Sequence, residues 1–393
     1  MRYTGVTARG IISPIFRQGD DLIEGVCGAL MQASQAEGFA IQDGDILTVT
    51  ESVVARTQGN YATRDQISTD VRNKFGGGEL GIVFPILSRN RFSQLLSAFA
   101  EGCEKLYVQL SYPSDEVGNE LISWDVLDEK GINPYVDHFD EQSFRDTFGS
   151  TTHPFTGVDY IDYYKSLGDN VEIHFSCDPT HILNYTSNVL CCDIHTRHRT
   201  ARRLRAAGAD RVLKLDEILI ESVEGSGYNP EYGLLGSNLA TDDSVKLFPR
   251  DSQPVVDAIQ TRMRELTGKQ IEVLVYGDGC FKDPVGGIWE FADPVVAPAF
   301  TNGLAGTPNE IKIKYFVDNE LGSLDGEALA AAMRQRILDK DTELGDATAA
   351  QGTTPRRYVD LIGSLCDLVS GSGDRGTPVI HIQNYFTNYA ARG

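Results

Sequence analysis

Apolar positions in the first hundred residues recur with two alternating periods, one typical of helices and one typical of strands. The stretch DDLIEGVCGALMQAS has helical spacing, with Asp20 or Asp21 at the expected N-cap. The turn at 42–45 precedes the β-branched run ILTVTESVVA, which predicts a buried strand. GIVFPIL and KLYVQLSY predict two further strands, separated by a helical pattern that ends at Gly102. This alternation is typical of an α/β or α+β fold.

From residue 113 the sequence becomes acidic, aromatic and rich in loop residues, before short apolar runs return. NVEIHFSCD, NVLCCDIHT and ADRVLKL predict strands, and HRTARRLRAAG predicts a basic helix between the last two. We interpret residues 113–225 as an inserted, Rossmann-like βαβ segment. Residues 1–112 and 226–393 would then form one discontinuous core.

The last third of the chain again alternates helical and extended patterns. QPVVDAIQTRMRELTG predicts a helix and IEVLVYGDG a strand, while DLIGSLCDLV carries an apolar helical stripe and VIHIQ reads as a final strand. Loops that follow such strands often carry the functional groups of α/β proteins. These loops are therefore the expected location of residues for catalysis or binding.

Charge and composition narrow the class of function. The 393 residues include 56 acidic and 35 basic side chains, a formal net charge of −21 that disfavours nucleic-acid binding. No apolar run is long enough to cross a bilayer, and the first residues lack the apolar segment of a signal peptide. The seven cysteines form no C-x-x-C pair and read as reduced thiols. We expect a cytoplasmic protein without a membrane partner.

Asp278 is the strongest candidate for a metal ligand. It follows an apolar strand and lies between two glycines that would let a ligand approach the backbone. A carboxylate there suits Mg²⁺ or Mn²⁺, although an Asp-Gly hairpin turn explains the same residues equally well. Glu290 and Asp293 are weaker candidates, because loop carboxylates are usually solvated.

Two other segments could bind anions. The loop at 370–378, SGSGDRGTP, offers backbone N–H groups, hydroxyls and one arginine, but it departs from the P-loop pattern and could be a plain linker. His195, Arg197 and Arg199 follow a predicted strand and could bind the carboxylate or phosphate of a substrate. For the arginines of the helix at 202–205, ion pairing with the surrounding acidic surface is favoured over the binding of a substrate anion. No Cys or acidic residue lies at a spacing from His195 and His198 that would indicate a zinc site.

The order of these motifs resembles the coenzyme F420-0:L-glutamate ligase family, the F420-0 γ-glutamyl ligases. The N-terminal part of the resemblance is ISPIFRQGDDL and DGDILTVTESVVARTQG, and the C-terminal part includes LLGSN, LFPRD, GDG and DLIGSLCDLVSGSGDRGTPV. The matching parts cover about 5–110 and 228–390. The resemblance implies the fold of that family, with the intervening stretch as an insertion.

The resemblance also implies a reaction and its site. Members bind GTP and a divalent metal, convert a carboxylate to an acyl phosphate and let the glutamate amine displace phosphate. By position, Arg56 and Arg375 would hold phosphates, and Asp278 would be catalytic and bind metal. The nucleotide-binding positions would be Ser13, Pro14, Asn238, Gly371, Ser372, Gly373, Asp374, Gly376 and Thr377.

Three positions depart from the pattern of the family. Leu235 occupies the position of a second metal-binding aspartate, Gly279 that of a threonine, and Glu51 that of a nucleotide-loop serine. One metal site could thus be lost, rebuilt from Asp283, Glu290 or Asp374, or contributed by the insertion.

Our leading hypothesis is an amide ligase that uses GTP or ATP with Mg²⁺ or Mn²⁺ to add glutamate, or another amino acid, to a small acidic acceptor. His195, Arg197 and Arg199 would recognise the substrate, and family members imply a homodimer. The alternative is a non-catalytic nucleotide- or metabolite-binding protein on the same fold, which the leucine at position 235 favours.

Overall fold

A computed structural model describes residues 3–154, 156–282, 288–290, 292–340, 350, 357–370 and 373–392 of the chain. The strands of these residues, in chain order, are β1 Thr7–Ile11, β2 Ile46–Thr50, β3 Tyr61–Thr63, β4 Glu79–Val83, β5 Lys105–Leu110, β6 Phe139–Asp140, β7 Val171–Phe175, β8 Asn188–Cys191, β9 Arg211–Lys214, β10 Asn238–Thr241, β11 Ser244–Lys246, β12 Glu272–Tyr276, β13 Phe281–Lys282, β14 Trp289–Glu290, β15 Ala299–Phe300 and β16 Val379–Gln383. The fold is mixed α/β.

The α-helices of the same residues are α1 Leu22–Glu37, α2 Glu51–Thr57, α3 Arg64–Phe75, α4 Ser93–Glu101, α5 Trp124–Lys130, α6 Glu141–Phe148, α7 Tyr160–Lys165, α8 Arg197–Ala206, α9 Ser252–Thr267, α10 Ile313–Asn319, α11 Gly326–Leu338 and α12 Tyr358–Ser370. In α1, the Asp21 side chain caps the helix by accepting the N–H of Glu24 at 3.0 Å, which confirms one of the two predicted caps. Within the described ranges no helix has both the length and the apolar character needed to cross a bilayer.

The first sheet has the order β1-β16-β2-β12-β15, in which β2 and β12 are parallel and the other neighbours antiparallel. Alternate residues of β2 face opposite sides. Leu47 and Val49 pack in the cluster that includes α1 and α9, whereas Ile46 packs in the cluster that includes α12. Helices therefore cover both faces, which explains why the central strands are apolar almost throughout.

The second sheet has the order β6-β7-β5-β4-β8-β9, and all neighbours except β6 and β7 are parallel. Its strand order reverses between β4 and β8, as in doubly wound sheets. The strand–helix–strand unit expected around the basic helix is present as β8, α8 and β9. β4 and β5 precede residue 113 but share this sheet with strands that follow it, so the sheet crosses the proposed boundary at residue 112. The division at residues 112 and 225 stays a prediction.

Two predicted strands end earlier than their apolar runs. The run at 46–55 forms β2 only as far as Thr50, and α2 begins at Glu51 despite two consecutive valines. Tertiary packing thus overrides the strand preference of β-branched residues. The run GIVFPIL ends as a strand at Val83, because Phe84 has a φ of 58° and Pro85 has no backbone N–H to donate.

Two smaller sheets complete the described part of the fold. One is antiparallel, with the order β10-β11-β3, and Lys246 of β11 pairs there with Tyr61 of β3. The other is the hairpin of β13 and β14. Asp278 lies between β12 and β13, so it does not form the turn of that hairpin.

Candidate functional site

A cavity of about 380 Å³ lies at the carboxyl ends of β2 and β12, the two parallel neighbours of the first sheet. Described residues of four stretches line it: 13–16, 50–56, 276–278, and 367–370 together with 373–378. Parallel strands bring their carboxyl ends to one edge of a sheet, where the following loops can enclose a ligand. The position and the size of this cavity suit a small-molecule site.

Seven of the residues nominated from the sequence meet in this cavity. They come from all four stretches of its lining, although they are widely separated along the chain. They are Ser13, Pro14, Arg56, Asp278, Gly373, Gly376 and Thr377.

Backbone hydrogen bonds hold the loops of the cavity together. The N–H of Ser13 donates to the carbonyl of Gly376 at 3.1 Å, and the N–H of Thr50 donates to that of Pro378 at 3.0 Å. The Tyr276 hydroxyl donates to the same Pro378 carbonyl at 3.2 Å. Burial raises the pKa of the Tyr276 hydroxyl. The end of the glycine-rich loop, at 376–378, is therefore tied to both central strands.

The turn at 277–279 is fixed by two carboxylates. The N–H of Asp278 donates to Asp293 at 2.8 Å, and the N–H of Gly279 donates to Asp367 at 2.9 Å. A Cβ at position 279 would lie 2.8 Å from the Cα of Ser364, and one at position 277 would overlap the carboxylate of Asp293. Both glycines are required by close packing.

Buried charges of both signs surround this turn. The Arg91 guanidinium donates to Asp293 Oδ1 at 2.9 Å and to Asp278 Oδ2. Burial alone would lower the pKa of Arg91, but the neighbouring carboxylates raise it. Beside them Lys246 donates to both oxygens of Glu51, at 2.8 and 2.7 Å. The edge of the cavity is thus a network in which each of these cations faces a carboxylate.

A family model for F420-0:gamma-glutamyl ligase matches residues 10–384. The chain belongs to the F420-0:gamma-glutamyl ligase family. It is therefore a member of a family of ligase enzymes. Among curated proteins, none matches this sequence.

Some positions carried over from the family lie elsewhere. Asn238 begins β10 and is not part of the cavity lining, while Asp374 and Arg375 are exposed in a short 3₁₀ helix beside it. Asp283, Gly371 and Ser372 fall outside the described residues. Only the backbone of Glu290 is described, in β14.

The basic segment after β8 is not part of the cavity lining. Arg197 Nε donates to Asp216 at 2.7 Å, whereas His195 and Arg199 are exposed. Farther along α8, Arg203 pairs with Asp178 at 2.7 Å. Arg203, one of the arginines at 202–205 for which ion pairing was favoured, is thus paired with an acidic residue, and so is Arg197. A substrate role for His195, Arg197 and Arg199 stays a prediction.

The described residues do not fit a divalent metal by themselves. They contain no group of three His, Cys, Asp or Glu side chains placed to hold a metal ion. Asp278, the strongest metal candidate, is paired with Arg91, and Leu235 is buried among apolar neighbours. We therefore assign no catalytic step to a metal.

Sequence reasoning missed Arg91 and Lys246 and undervalued Asp293. The expectation that Asp293 is a solvated loop carboxylate was wrong, because its exposed fraction is 1% and both its oxygens accept hydrogen bonds. Lys246 gave one local signal, as a single lysine within the apolar run VKLF. Arg91 gave a weaker one, because it lies in the loop after a predicted strand.

Proposed function

We propose that the chain is an amide ligase that uses GTP or ATP to join glutamate, or another amino acid, to a small acidic acceptor. The observation that supports this most is the cavity at the ends of β2 and β12, where residues from four distant segments meet. Membership of a ligase family supports the same reaction class. The proposal places the nucleotide in that cavity.

The proposed reaction has two transfers. An oxygen of the acceptor carboxylate attacks the terminal phosphorus of the nucleotide, the bond to the bridging oxygen breaks, and an acyl phosphate and a nucleoside diphosphate form. The amine of glutamate then attacks the acyl carbon, phosphate leaves, and the amine loses a proton as the amide forms. Arg56 is the arginine of the described lining and would stabilise the charge on the phosphates.

The proposed role of the divalent metal is limited to neutralising the charge of the phosphates. Mg²⁺ or Mn²⁺ would enter bound to the phosphates of the nucleotide and reduce their negative charge. Asp278 is paired with Arg91, so of the three predicted ligands we propose Asp283 and Asp374 as the protein ligands of that ion. A homodimer and a cytoplasmic location also stay predictions.

The first test is ligand-induced stabilisation of the purified protein. We expect GTP or ATP, given with Mg²⁺ or Mn²⁺, to raise the melting temperature, because a ligand that binds only the folded state stabilises it. Arg56→Met should abolish this rise. Arg264→Met is the matched control and should leave the rise unchanged, because Arg264 is exposed on α9 and does not line the cavity. A phosphate-binding role for Arg375 stays a prediction.

The second test separates a ligase from a binding protein. A ligase releases phosphate only when the nucleotide, an acceptor acid and an amino acid are all present. Asp278→Asn should abolish this release while retaining the folded structure. Nucleotide binding without phosphate release, for any pairing of an acid with glutamate, would favour the non-catalytic alternative, for which the buried Leu235 is the supporting observation.

A further inference from the structure

Arg91 connects the two large sheets at the edge of the cavity. It lies in the loop after β4 of the second sheet, and its guanidinium reaches Asp278 and Asp293 after β12 of the first sheet. Its side chain is 16% exposed, against 24% for Asp278 and 1% for Asp293. The guanidinium therefore occupies the space between two carboxylates, where a cation is most strongly attracted.

The position of Arg91 is closely confined. Asp293 accepts from Arg91 with Oδ1 and from the backbone of Asp278 with Oδ2, so both of its oxygens are engaged. On its other side Arg91 borders a space of about 20 Å³ lined by apolar side chains that include Leu234 and Leu235. Such a space holds about one water molecule. That space is too small to receive the guanidinium, so Arg91 cannot turn into it.

The charge of Arg91 is permanent. A guanidinium keeps its proton at every pH at which proteins are folded, so two carboxylates here always face one positive charge. The adjacent carboxylate of Glu51 is held by Lys246. A divalent ion placed between Asp278 and Asp293 would meet a guanidinium at close range, and like charges repel strongly where water is excluded.

We infer that Arg91 is a built-in cation that excludes divalent metal from the carboxylate pair Asp278 and Asp293. It acts as a positioning residue, because it fixes the Asp278 side chain at the cavity edge without itself lining the cavity. Any metal that accompanies the nucleotide would then be bound by phosphate oxygens and by other donors. The inference rests on the proposed function only in assigning the cavity to a nucleotide.

The test counts Mn²⁺ ions bound to the full-length protein without nucleotide, from the loss of the free-ion signal in electron paramagnetic resonance. Arg91→Met should bind one more Mn²⁺ per chain than the wild type does. Arg91→Met combined with Asp293→Asn should lose that additional ion. Arg91→Lys keeps the positive charge and should match the wild type.

A second comparison covers the case in which Arg91→Met fails to fold. Asp293→Asn retains Arg91 and should bind as many Mn²⁺ ions as the wild type. Loss of one ion in Asp293→Asn would overturn the inference, as would the absence of an additional ion in folded Arg91→Met. Failure of the ligase proposal would appear in phosphate release and would leave all these ion counts unchanged.

Discussion

Replacing Lys246 with methionine tests the buried charge network directly. Lys246 and Glu51 each have side chains 9% exposed, and Glu51 has no other cation at hydrogen-bonding distance in the described contacts. Removing one partner of a buried pair leaves the other charge unpaired, which costs roughly 3–5 kcal/mol. For a chain of this length that unfolds as one unit, about 4 kcal/mol lowers the melting temperature by roughly 5 °C.

The pH dependence of this loss has a defined sign. Burial raises the pKa of Glu51, and Lys246 opposes that shift. A carboxyl whose folded-state pKa is raised loses its stabilising contribution as the pH rises from its unfolded value through its folded value. Because Lys246→Met removes the opposing charge, its deficit should be larger at pH 8 than at pH 5.

Urea unfolding at pH 5 and pH 8, followed by far-ultraviolet circular dichroism, measures both effects. Lys105→Met is the matched control, because the Lys105–Glu172 pair has a similar length of 2.8 Å but side chains 37% and 44% exposed, so its loss should stay below about 1 kcal/mol. The double variant Glu51→Met with Lys246→Met should recover about 2 kcal/mol or more, since an apolar pair replaces the ion pair. A Lys246→Met deficit below 1 kcal/mol, or equal deficits in the single and double variants, would refute the reasoning.

Three further predictions follow from the same region and its neighbours. Gly277→Ala should lower the unfolding free energy by about 2 kcal/mol or more, measured in urea, because the new methyl group would overlap Asp293. Of the seven cysteines, exposed Cys280 should react fast with a thiol reagent, and Cys280→Ser should remove the fast phase. Burial raises the pKa of Glu116 to about 7, so the contribution of Glu116 to the free energy of unfolding should fall as the pH rises from about 5 to about 8. In Glu116→Gln that fall, up to about 3 kcal/mol, should disappear from the urea-derived pH profile.

Local patterns predicted elements of the first sheet and of the helices that cover it. Helical spacing and a capping aspartate located α1, and a short apolar run ended by Gly-Asp-Gly located β12 and the turn that follows it. Such features depend on residues within a few positions of one another, which a single sequence displays directly. The resemblance then joined distant segments, and seven of the nominated residues line one cavity.

Contacts between distant residues could not be predicted in the same way. Arg91 and Asp293 are 202 positions apart, and Glu51 and Lys246 are 195 apart. Nothing in the local sequence around Asp293 distinguishes a buried acceptor from a solvated loop carboxylate. The pairing depends on how the two large sheets meet, and this is decided by tertiary packing.

Through Arg91, the second sheet contacts the edge of the cavity that lies at the end of the first sheet. The loop that carries Arg91 leaves β4 at the point where the strand order of the second sheet reverses, and Asp115 holds this loop by accepting the N–H of Leu87 at 2.8 Å. The second sheet thereby fixes the guanidinium, and the guanidinium fixes the Asp278 side chain at the edge of the first sheet. A change that shifts the loop at 84–91 should therefore alter ligand binding in the cavity, even though none of these residues lines it.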